Sequence, residues 1–190
     1  MNKASSADKE LIIDILFKSF RENKSIHFLL GKNATRPELI RKLMAYSVDY
    51  CTLFGEVYLS EDRKACALLL FPEKKKTTIH SILLDLRLAI SVIGITHLKK
   101  TLDREARIKK IHPSTPFIYL WFIGVDPAEQ GKGIGTRLLK KILEEALQKG
   151  RPVYLETSTK KNIPWYESHG FTIYASLNFG YELYCMKKGA

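Results

Sequence analysis

Residues 117–135, FIYLWFIGVDPAEQGKGIG, decide how this chain is read. Residues 117–125 are apolar on both faces and stop at Asp126-Pro127. Such a run suits a central strand covered on both sides. Gly131, Gly133 and Gly135 follow at alternate positions, and TRLLKKILEEAL then takes up helical periodicity. Strand, loop, glycine-rich turn and helix together aim several backbone N–H groups at a phosphate.

Downstream, Ile134, Leu138, Leu139, Ile142, Leu143, Ala146 and Leu147 form the apolar stripe of that helix, and Gly150 ends it. Residues 153–158 read as a strand and 163–169 as a short helix closed by Gly170. Residues 171–177 and 181–186 read as two strands joined at Asn178-Phe179-Gly180.

Upstream, Leu11, Ile12, Ile15, Leu16 and Ser19 share a helical face, and a loop is expected from Asn23-Lys24 to Gly31-Lys32-Asn33. Thr35 is placed to cap a second helix, with Pro37 in its first turn, Glu38 completing a capping box, and Leu39, Leu43, Tyr46 and Tyr50 along its face. Residues 55–60 and 65–71 predict a β-hairpin turning at Glu61-Asp62. Residues 73–113 predict a helical pair. Its stripes are Ile79, Ile82, Leu83, Leu86, Ile90 and Ile93, then, past Gly94, Leu98, Leu102, Ala106 and Ile108. The pattern is α+β: one domain over residues 1–190, with a mixed sheet and helices on both faces.

The net charge of +11 admits a nucleic acid, a membrane surface or an anionic ligand as partner. The lysines are scattered as pairs such as Lys140-Lys141 and Lys160-Lys161, with only Lys74-Lys75-Lys76 as a longer run. That scatter, without an aromatic–basic array, speaks against nucleic acid. Cys51, Cys66 and Cys185 form no C-x-x-C and read as reduced, buried thiols. Asp8 and Glu10 stand where a signal peptide is apolar, and no run is long enough for a membrane span, so a cytoplasmic protein is expected. His80, His97 and His112 have no metal-ligand spacing, and no metal is expected.

Three phosphate-binding readings compete for the turn. A P-loop needs G-x-x-x-x-G-K-[ST], which this stretch lacks. A dinucleotide site places an acidic residue where Glu156 stands, but here the glycines run G-x-G-x-G after a long loop and little chain remains afterwards. The third reading is a coenzyme A pyrophosphate loop. Gln130, Gly133 and Gly135 match [QR]-x-x-G-x-[GA], preceded by Ile123-Gly124-Val125-Asp126-Pro127, and in this the stretch resembles the GNAT acetyltransferases. Asn162, Trp165, Tyr166, Glu167, Gly170 and Phe171 resemble that family's second motif. Residues 115–188, with Leu155-Glu156-Thr157-Ser158 among them, are most similar to the branch that includes puromycin N-acetyltransferase.

The resemblance implies that acetyl coenzyme A is held by Ile123, Gly124 and Val125 along the pantetheine arm. It implies Gln130, Gly131, Lys132, Gly133, Ile134, Gly135 and Thr136 on the diphosphate, and Asn162 and Tyr166 near the arm and sulfur. Tyr166 would protonate the departing thiolate, or else merely pack at a helix end. Glu156 would take the amine proton, or else serve structure. Tyr119 and Trp121, two apart on the strand, would line the acceptor site, or else pack in the core. Residues 73–113 are the expected lid. The activity implied is acetyl transfer to a small-molecule primary amine by a monomer or homodimer. A non-catalytic basic module binding coenzyme A or nucleic acid is the alternative.

Overall fold

The computed structural model describes residues 1–190, except the side chains of residues 95 and 96. The elements are β1 (Asn2–Lys3), α1 (Lys9–Phe20), α2 (Lys24–Leu30), α3 (Pro37–Phe54), β2 (Gly55–Leu59), β3 (Ala65–Leu70), α4 (Ile79–Leu88) and α5 (Ile95–Ile111). They continue with β4 (Ile118–Val125), α6 (Ile134–Gln148), β5 (Val153–Thr157), α7 (Ile163–Glu167), β6 (Thr172–Asn178) and β7 (Glu182–Lys188). The seven strands form one mixed sheet in the order β1-β2-β3-β4-β5-β7-β6. Only β4 and β5 pair in parallel; the other neighbours are antiparallel. The expected α+β architecture is the one observed.

Each face of the sheet has its own core. On one, α1 and α3 bury Ile12, Ile15, Leu16, Leu43 and Met44 against Leu68 and Phe122. On the other, α6 and α7 bury Leu138, Leu139, Ile142, Ile163 and Tyr166 against Ile118, Leu120 and Leu155. β4 serves both cores through a bulge. Leu68 pairs with Phe122 and Leu69 with Leu120, leaving Trp121 as the extra residue. The bulge reverses the strand's alternation. Ile118 and Leu120 join the α6 core, Phe122 joins the α1–α3 core, and Ile123 and Val125 pack against the α6 core. This is why the strand shows no simple apolar–polar alternation in sequence.

Four local expectations are corrected. The loop expected across residues 23–33 contains α2, because the Asn23 side chain accepts from the N–H groups of Ser25 and Ile26 and starts a helix there. The helix after Pro37 is capped at Arg36, not Thr35, and Glu38 bonds the Arg36 side chain at 2.7 Å instead of closing a capping box. In the 73–113 segment both helices form, but most of the expected stripe faces outward. Ile79, Ile82, Leu83, Leu86 and Ile90 are exposed, while Ile93 of the stripe is buried together with Ser81 and Val92. In α5, Leu102 is exposed and Thr101, Arg104 and Ile108 form the buried stripe. Finally, Leu147 of the α6 stripe is exposed.

Gly55 joins α3 to β2 with no room for a side chain. A Cβ built there lies 1.8 Å from the Leu69 carbonyl oxygen, a backbone atom of the paired strand. Gly55→Ala is expected to cost at least about 1–3 kcal/mol, as overpacking does, read from the urea midpoint. An unchanged midpoint would mean the β2–β3 pair shifts freely.

Candidate active site

The site begins where the sheet opens. β4 and β5 share only two residue pairs, Ile118 with Val153 and Tyr119 with Tyr154. Beyond them the strands part, although β4 continues to Val125 and β5 to Thr157. A cleft of about 940 Å³ fills the gap, lined by residues 119–125 on one wall and 156–162 on the other. A ligand entering it meets a strand edge whose backbone groups have no neighbouring strand. Gly124 lets α1 close over β4: a Cβ there would meet Ser19 Oγ at 3.1 Å. Ser19 Oγ lies 2.8 Å from the Val125 carbonyl, which fixes the end of the strand.

The glycine turn forms one end of the cleft. Gly131 and Gly133 take φ of +79° and +73°, a conformation costly for any residue with a Cβ. The first helical hydrogen bond of α6 runs from Arg137 N–H to Gly133 O. Among the described residues no acceptor takes the N–H groups of residues 133–136. They stand at the positive end of α6, an arrangement that fits a diphosphate. Gly131, Gly133, Ile134, Gly135 and Thr136 line the cleft. Lys132 does not; its Nζ bonds Glu129 at 2.7 Å. Gln130 lines the cleft and braces the loop, its Nε2 donating to the Val125 carbonyl at 3.4 Å. Lys24, Lys160 and Lys161 also line it, so part of the scattered positive charge converges here.

Trp165 ties the two motifs together. Its Nε1 donates to Thr136 Oγ1 at 3.0 Å, fastening α7 to the start of α6. The adjacent Tyr166 is buried against Trp165 and Phe171 and faces the cleft, as does Asn162 at the start of α7. Among the described residues the Tyr166 hydroxyl has no hydrogen-bond partner. Burial raises its pKa, so it holds its proton throughout the physiological range.

Glu156 lies deeper, with its side chain 5% exposed. Tyr119 donates to Oε2, and His112 Nε2 lies 2.8 Å from Oε1. Burial and the nearby carboxylate raise the Tyr119 pKa, which keeps it a donor. Tyr119 and Trp121 both line the cleft, as do the residues between and after them, and they pack differently. Trp121 packs edge-on against Tyr46 and Tyr50 of α3. His112 was missed in the sequence: 44 positions separate it from Glu156, and no local spacing links them. Arg104 and Glu105 of α5 also line the cleft and were missed, because in sequence they look like part of a solvated charged face.

The three cysteines are free and buried. Burial pushes the Cys185 thiol up to about 12 and raises Cys51 and Cys66 as well, so none is a ready thiolate nucleophile. Among the described residues no three His, Cys, Asp or Glu side chains gather as a metal-ligand set, and no helix is long and apolar enough to cross a membrane.

The site is thus a parted mixed sheet with a glycine turn at one end of the cleft and a tyrosine at its wall. Residues 89–171 match the model of the Acetyltransferase (GNAT) family. It is 28% identical to an uncharacterised N-acetyltransferase of Schizosaccharomyces pombe over 165 residues, 76% of this chain and 64% of that protein. It is 45% identical to the N-alpha-acetyltransferase RimI of Mycobacterium tuberculosis over 74 residues, 37% of this chain and 46% of that one. The chain thus spans less than two thirds of the length of either relative. Its fold matches the crystal structure of a histone acetyltransferase HPA2 and related acetyltransferase from Corynebacterium glutamicum. The TM-score is 0.70 at 16% identity, covering 100% of this chain and 95% of that one.

The Glu156 cluster yields a direct test. Tyr119→Phe removes the hydroxyl from one oxygen of a buried carboxylate and is expected to cost about 1–3 kcal/mol, measured by chemical denaturation. An unchanged stability would show that cleft water serves that oxygen equally well.

Proposed function

We propose that the chain transfers the acetyl group of acetyl coenzyme A to a small-molecule primary amine. One observation carries this reading. The unpaired N–H groups of residues 133–136, the free edge of β4 and the unpartnered hydroxyl of the buried Tyr166 all face one cleft. When bound, acetyl coenzyme A supplies the activated acetyl group as a thioester. The N–H groups of residues 133–136 hold its diphosphate, with Lys24, Lys160 and Lys161 adding charge. The opened edge at Ile123 and Val125, together with Asn162, holds the pantetheine arm.

The remaining chemistry falls to two side chains. The amine nitrogen forms its bond to the acetyl carbon as the carbon–sulfur bond breaks. The surplus proton on nitrogen passes to Glu156, directly or through water. Both carboxylate oxygens are already hydrogen-bonded, yet each has a further lone pair. The leaving sulfur takes its proton from Tyr166, a phenol placed at the cleft wall. Of the 73–113 segment, α5 forms a wall at the acceptor end, whereas α4 stays outside the cleft.

Coenzyme binding is the first check. Gly133→Asp places a side chain and a negative charge in the phosphate turn and is expected to abolish acetyl coenzyme A binding measured by calorimetry. Retained affinity would remove the assignment. Tyr166→Phe is expected to lower kcat by about 10²–10⁴-fold, the usual range for a lost general acid, with coenzyme affinity kept. Its raised pKa places loss of the Tyr166 proton above the working range, so wild-type kcat should show no alkaline fall from this group. Glu156→Gln should abolish the acid limb of the kcat/KM profile; a limb that persists would make Glu156 structural.

A further inference from the structure

We propose that the acceptor carries an oxyanion, a carboxylate or phosphate a few bonds from its amine, and that Arg104 binds it. This rests on the acetyl-transfer reading above and specifies the acceptor half of the same cleft.

Arg104 belongs to the buried stripe of α5 and has a side chain only 9% exposed, yet it lines the cleft. Its Nε donates to the Tyr181 hydroxyl at 3.0 Å, and its Nη1 donates to Glu105. Among the described residues, Nη2 has no acceptor. Its counterion is weak: Glu105 is the next residue along, with a side chain 56% exposed. A pair with one partner in water has little strength to offset burial of the other. A buried guanidinium is costly unless paired and hydrogen-bonded. Here one edge is left open toward a ligand space, and a planar fork of donors suits an oxyanion.

The neighbours place that ligand's amine in the same cleft. Tyr119 donates to Glu156 and also lies close enough to Arg104 for the two to perturb each other electrostatically. Cys185, paired across the sheet with Glu156, feels both charges as well. The proton-accepting carboxylate, the guanidinium and the Tyr119 ring line one cleft. A molecule whose amine is at Glu156 and whose anion is at Arg104 bridges the two. It places opposite charges on opposite groups, as an amino acid or an aminoalkyl phosphate does. A plain alkylamine would leave the Arg104 edge without an acceptor. Leu43 and Leu29 line the same cleft and leave apolar surface for a side chain.

The test is coenzyme A release by the whole chain with matched acceptors: phenylalanine against phenethylamine and against phenylalanine amide, leucine against isoamylamine, and phosphoethanolamine against ethanolamine. The anionic member of at least one pair is expected to have the higher kcat/KM, by about 10–100-fold, the range for a hydrogen bond to a charged group. The gap should lie in KM, and the pair that shows it separates carboxylate from phosphate. Arg104→Gln should collapse that ratio toward one, while Arg104→Lys, which keeps the charge, retains part of it. Equal or better turnover of the uncharged members by the wild-type chain overturns the proposal and leaves acetyl transfer standing. So does an amide preferred to its acid, the result expected for a peptide α-amine. Acetyl coenzyme A binding without turnover of any compound also overturns it. No coenzyme binding at all overturns the parent reading too.

Discussion

The structure turns on the parting of β4 and β5 after two residue pairs. An unpaired strand edge inside a sheet is ordinarily a liability, because backbone N–H and C=O groups need partners. Here the opposite edges are saturated. β4 is paired with β3 over most of its length, and β5 with β7 over all of its residues. The parting therefore weakens neither strand's attachment to the sheet. The far end of β4 carries the bulge at Trp121 and lies under α1 at Gly124. The cleft is thus a built feature of the sheet, with a strand edge as one wall.

Two fixtures position groups around that opening. Trp165 fastens Thr136 to α7, so the glycine turn and Tyr166 are kept in register by one hydrogen bond between side chains 29 positions apart. The cluster of Tyr119, Glu156 and His112 compensates a buried carboxylate with two donors, while the rings of His112, Phe117, Tyr119 and Tyr154 pack around it. A carboxylate this buried stays in place because both of its oxygens are bonded. Its surroundings also supply the donors that a single strand position cannot.

The segment before β4 shows how far apolar periodicity reaches. In α4 the isoleucines and leucines at helical spacing identify a helix correctly and its packed face wrongly. They point outward, and the smaller Ser81 is the residue buried. In α5 a buried arginine replaces the apolar position that the spacing favoured. Periodicity reports that one face differs from the other. It does not report which face meets the protein when a helix packs over a polar cleft.

What the sequence determined by itself was whatever is local: the strand–turn–helix of residues 117–135 with its alternate glycines, the hairpin, the closing strands, and so the α+β class. Tyr119, Trp121, Glu156, Asn162 and Tyr166 were also legible, because they sit within or beside those motifs, and one cleft does gather them. Tertiary structure alone decided the rest. It brought His112 to Glu156 across 44 positions, turned Arg104 inward, left Lys132 outside the cleft and opened the sheet. Each of these depends on which surfaces meet after the chain collapses, and contacts between distant segments leave no periodic trace in one sequence.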